Sequence, residues 1–162
     1  MKVNSISSAP TDYSSWMEYL DGFDKGIPDE NFERLLSNGA CPEYGGVKIY
    51  FHNRLEKAVN SIIGFCINDL RRNILEYIED NELSGIHIAF IRFSKRIKKC
   101  MFFEHIPFLD TDYKNELSTE IKKEVGLFWR NTLKSLNNDV KQSNNRVLEE
   151  ELFLIGRIKL FC

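Results

Sequence analysis

The run IHIAFIRFSKRIKKCMFF, residues 86–103, carries the decision about the fold. Two apolar stretches, Ile86 to Phe93 and Ile97 to Phe103, are joined by Ser94-Lys95-Arg96. β-Branched and aromatic residues at this density favour strands, so the run is read as a β-hairpin at the centre of a sheet. Ile86, Ile88 and Phe90 point one way and Ile91 and Phe93 the other, as in an interior strand covered on both faces. A turn on Lys95-Arg96 sets His87 opposite Glu104, and a turn one residue longer sets it opposite His105.

Upstream, Val47, Ile49 and Phe51 alternate with Lys48, Tyr50 and His52, the pattern of a half-buried strand. Asn53 with Glu56 then resembles a capping box opening a long helix to about Asp80, whose stripe runs Leu55, Val59, Ile62, Cys66, Leu70, Ile74 and Ile78. Downstream, Asp110-Thr111-Asp112 caps a second long helix with Leu117, Ile121, Val125, Phe128, Leu133 and Leu136 on one face and Trp129 beside it. The polar stretch 137–145 reads as a loop or frayed helix end. Ile158, Leu160 and Cys162 alternate with Arg157, Lys159 and Phe161, which predicts a last strand within 152–162.

The order is therefore β-α-β-β-α-β, as in the ferredoxin-like split. The fold class expected is α+β, with an antiparallel sheet of about four strands packed on two long helices. Two short helices precede it. In the first, Tyr13, Trp16, Met17 and Leu20 recur at helical spacing behind a cap at Thr11 or Asp12. The second runs from Pro28, with Phe32, Leu35 and Leu36 as its stripe and Gly39 as its C-terminal cap. One domain over 1–162 is expected, an acidic helical region at 1–45 leading into the core at 46–162.

Composition agrees with a single globular domain: 162 residues, 43% hydrophobic and 28% charged. A chain of this length buries enough surface to hold a core without disulfides or metal. Cys41, Cys66, Cys100 and Cys162 form no C-x-x-C pair, and Cys66 and Cys100 lie in apolar runs, so reduced thiols are expected. No apolar leader and no membrane-length stretch is visible, which favours the cytoplasm. The formal net charge of -2 conceals a gradient. Eight acids against three bases leave -5 in residues 1–45, while 14 bases against ten acids leave +4 in residues 92–162.

Chemistry is sparse. Neither a Gly-rich phosphate loop nor a metal-ligand spacing such as H-E-x-x-H occurs, and no cofactor or metal is implied. The leading expectation is a protein-binding module that occludes a partner, as bacterial toxin-neutralising immunity proteins and similar inhibitors do, rather than an enzyme. Its surface is expected on the acidic region: Asp12, Glu18, Asp21, Asp24, Asp29, Glu30 and Glu33, with Tyr13, Trp16 and Tyr19 as aromatic anchors, offered to a basic toxin or nuclease. One alternative is a small-molecule or catalytic site built from His87, Glu104 and His105. The other is anion or nucleic-acid binding through the hairpin bases Arg92, Lys95, Arg96, Lys98 and Lys99. The RNA-binding aromatic pattern fails there, because Lys98 to Phe103 lacks its glycines and Phe102 and Phe103 face opposite ways.

Overall fold

The computed structural model describes residues 9–24, 34–35, 37–41 and 47–161, apart from the side chains of residues 23, 24 and 47–49. Among the described residues there is no strand. The elements are α1 (Tyr13–Asp24), α2 (Val47–Glu79), a 3-10 turn (Leu83–Gly85), α3 (Ile86–Lys99), a 3-10 segment (Cys100–His105), α4 (Thr111–Ser143) and α5 (Arg146–Ile155).

The α+β expectation is thus overturned, together with the ferredoxin-like order and each of its strands. Residues 86–103 are α3 and the 3-10 segment that follows it. Ile86, Ala89, Phe90, Phe93 and Ile97 are buried, at the 3–4 residue spacing of a helix face. Ser94-Lys95-Arg96 contains none of the Gly, Pro, Asn or Asp that a tight hairpin turn uses, and the helix passes straight through it. Residues 47–52 are the first turns of α2, where Phe51 and Leu55 open a buried stripe continuing through Val59, Ile62, Cys66 and Leu70. The six-residue alternation was too short to exclude a helix. The expected last strand is α5 followed by turns at 156–161. The polar stretch 137–145 extends α4 as far as Ser143. Of the second N-terminal helix, residues 34, 35 and 37 are helical, Asn38 is in a turn and Gly39 follows outside the helix, and residues 28–33 and 36 lie outside the described residues.

The chain forms two compact units, Met1–Ile63 with Lys99–Leu117 and Gly64–Lys98 with Ser118–Cys162. In the first, α1 begins at a reciprocal cap of the kind expected. Asp12 Oδ1 accepts from Ser15 N at 2.8 Å while Ser15 Oγ accepts from Asp12 N at 3.1 Å. These bonds, the Ser15 backbone N–H foremost, hold the Asp12 carboxyl below its ordinary value. Trp16 packs edge-on against Phe51 and Phe108, with ring centroids 5.4 and 5.1 Å away. Its Nε1 donates to the Ala40 carbonyl at 2.7 Å, satisfying the one polar atom of a fully buried ring.

In the second unit, Phe90 and Phe93 of α3 meet Trp129 of α4, with centroids 4.8 and 5.9 Å apart, and Leu70, Ile121 and Val125 are buried in the same unit. Helix α2 ends in a left-handed cap. Asn81 has φ of 56°, Glu82 N donates to Tyr77 O at 2.9 Å and Asn81 N to Ile78 O at 3.2 Å. Helix α4 ends on Asn144, φ 51°, whose N–H donates to Val140 O at 2.8 Å. The next residue, Asn145, caps α5 by accepting from Leu148 N at 3.2 Å.

Candidate functional site

The structure separates the residues singled out from sequence. Trp16 and Tyr19 belong to the core of the first unit and are not surface anchors. Burial pushes the Tyr19 phenol above its ordinary value. Asp12 and Glu18 are exposed, and so is Asp21, which is ion-paired with Arg54 of α2. Tyr13 is half-buried at the start of α1. Asp29, Glu30, Glu33 and the side chain of Asp24 lie outside the described residues.

The catalytic-looking set does not assemble as a cross-strand pair, because the ladder that would place His87 opposite Glu104 or His105 does not exist. Glu104 and His105 are exposed in the 3-10 segment, where the Glu104 carbonyl accepts from Lys114 Nζ at 3.1 Å. His87, in the first turn of α3, is held instead by Glu151 of α5. The buried Glu151 Oε2 accepts from His87 N at 2.7 Å and lies 2.8 Å from Nδ1 of the same residue. Glu151 thereby caps α3 from another helix, a carboxylate at the positive end of the helix dipole. That is a structural role. Among the described residues no group of three or more His, Cys, Asp and Glu side chains could hold a metal ion.

The five bases of the supposed hairpin tip all lie on or at the end of α3. Arg96 ion-pairs with Asp69 of α2, whose other carboxylate oxygen accepts from Arg72 at 2.6 Å. Arg92, Lys95 and Lys98 are exposed and Lys99 is half-buried.

A surface not anticipated from sequence lies on the second unit, between α2 and α4. It is an open groove of about 710 Å³ with Ile67, Ile74, Leu75 and Ile78 on one wall and Leu127 and Phe128 on the other. Leu75, Leu127 and Ile78 remain 58%, 53% and 43% exposed. The Arg71 guanidinium lies over the Phe128 ring, 5.2 Å from its centroid. Glu124 and Asp139 are the first and last α4 residues along the groove, fifteen positions apart, or about 22 Å of helix. The sequence signal for this surface was the set of apolar residues that fall beside the buried stripes of their helices. Leu75 follows the core residue Ile74, and Leu127 lies two positions after Val125.

No family model, no curated protein and no solved structure matches the chain.

Proposed function

We propose that the chain is a protein-binding module whose working surface is the α2/α4 groove of the second unit, and that it takes up an apolar, basic helix of a partner protein. The observation that carries this is the cluster of Leu75, Ile78 and Leu127, three large aliphatic side chains left about half exposed along one open trough. Contiguous exposed apolar surface is characteristic of interaction sites, and a groove between two helices is the usual seat of a partner's amphipathic helix. Glu124 and Asp139 favour a helix with basic residues near each end of the contact, and the groove's length suits three to four turns. Such a module needs no chemistry of its own. It acts by covering the partner's surface, as toxin-neutralising immunity proteins and related inhibitors do, with a basic toxin or nuclease as the fitting kind of partner. A reducing, cytoplasmic setting belongs to the same proposal, supported by Cys66 and Cys100 lying buried in apolar surroundings, where a cysteine acts as a small hydrophobe.

The test is calorimetric titration with a 16-residue amphipathic Leu/Lys helical peptide, against the wild-type chain and L75E/L127E. Binding that weakens at least tenfold in the variant, with its circular dichroism unchanged, supports the groove. Equal affinity for both chains, or no binding to the wild type, removes it. Concentration-dependent dimerisation abolished by the same substitutions would instead identify a second copy as the occupant and overturn the partner named here.

A further inference from the structure

A second surface on the same unit carries charge of one sign. Helix α3 holds five bases and no acid in its 14 residues. Its inward face is spent on Ile86, Ala89, Phe90, Phe93 and Ile97, and Arg96 on the pair with Asp69. The outward face that remains is Ile88, Ile91, Arg92, Lys95 and Lys98, a continuous stripe at helical spacing. Ile88 and Ile91 are 40% and 36% exposed. Among the described residues Arg92, Lys95 and Lys98 make no ion pair. Ser94 donates to the Lys159 carbonyl at 3.0 Å, which brings the exposed base Lys159 alongside α3.

We infer that this stripe is a docking site for an acidic amphipathic segment of a protein, distinct from the groove occupant. Two features select that chemistry. Arg92, Lys95 and Lys98 rise along the helix in steps of about 4.5 Å, matching carboxylates three or four residues apart on a partner helix. The isoleucine pair at the N-terminal end of the stripe offers aliphatic surface, which an acidic peptide meets with Leu or Ile and a sugar-phosphate backbone does not. Charge complementarity steers association, and the aliphatic anchors hold the complex. The two surfaces together make the chain a bridge between a basic helix and an acidic one.

The experiment is a fluorescence-anisotropy titration at low salt with three probes: a 16-residue Leu/Glu amphipathic peptide, a 20-nucleotide single-stranded RNA, and vesicles containing phosphatidylserine. The chains are wild type, K95E/K98E and I88S/I91S, all changes at exposed positions of α3, with folding checked by thermal melts. The peptide is expected to bind wild type, to lose at least tenfold in affinity and most of its salt dependence with K95E/K98E, and to lose several-fold with I88S/I91S at an unchanged salt slope. Failure of the peptide to bind, or binding indifferent to both variants, overturns the inference. So does tighter binding of RNA or of vesicles. The groove variant L75E/L127E is expected to keep its affinity for the acidic peptide, so that either surface can fail while the other stands.

Discussion

Glu151 joins two helices through a single oxygen atom. Its carboxylate is buried, and the backbone N–H and ring Nδ1 that it meets belong to a residue 64 positions earlier in the chain. Removing the acceptor leaves a helix N–H of His87 without a partner in a part-buried site, which costs about 1–3 kcal/mol. E151A is therefore expected to lose that much in urea unfolding and E151Q distinctly less, since the amide oxygen can still accept; equal losses would show that the side chain acts by packing alone. A close approach at Gly85 makes the other residue-scale case. A Cβ there would stand 2.3 Å from Cε1 of Tyr77, so alanine forces the ring out of its place. G85A is expected to destabilise by about 1–3 kcal/mol, as overpacking does. Addition of Y77A should cancel most of that effect, and strict additivity of the two would rule out the clash as the cause.

At the scale of elements, the starts of α1 and α4 were legible, while the capping box expected at Asn53 and Glu56 lies inside α2, which begins at Val47. The α1 cap was readable from Asp12 and the spacing of Tyr13, Trp16, Met17 and Leu20, because capping is a contact within one turn. Its protonation behaviour follows from the geometry. The Asp12 carboxyl is held below its ordinary 3.8, so the cap's contribution is full above the unfolded-state value and disappears as pH falls through the lower folded-state value. The Ser15 amide resonance should report that titration in wild type and lose it in D12N; an amide insensitive to pH below 4 in the wild type would refute the cap. Asn81 closes α2 with φ of 56°, a conformation that costs most residues about 1 kcal/mol or more. N81A should lower the melting temperature while N81G leaves it level or raises it; the reverse order would place the cap elsewhere. Element type failed where apolar residues crowd. In residues 86–103, helical and alternating patterns overlap within any six-residue window, and the cations at 92, 95 and 98 carry the helical period.

For the whole molecule, Tyr19 predicts the alkaline limit of stability. Its phenol is raised above 10.0 by burial, so the unfolded chain ionises first. The stabilisation is complete below about pH 10 and is lost as pH rises toward the folded-state value. Y19F should flatten that decline in a pH series of thermal melts, and an unaltered alkaline slope would assign it to other groups. The charge gradient along the chain was visible from residue counts, but its relation to surface was not: Arg96 is spent on Asp69 and Asp21 on Arg54, while Arg92, Lys95 and Lys98 remain on one exposed stripe. The groove was invisible for a related reason. Its walls come from stretches of chain more than forty residues apart, and Leu75 or Leu127 alone is an ordinary exposed leucine.

By itself the sequence determined the amphipathic stripes of α2 and α4, the start of α1, the absence of a sequence motif for phosphate, metal or nucleophile chemistry, and the polarity of charge. Those are local properties, set within a few turns of chain. Tertiary structure decided that the remaining apolar runs are helices. A helix satisfies its backbone hydrogen bonds within its own segment, whereas a strand needs a partner strand, so the expected strands could stand only together. Once residues 47–52 continued into α2 and 86–99 buried one helical face against Trp129, no ladder remained for the C-terminal run to join. The same packing decided which of the aromatic and basic residues became core, ion pair or open surface.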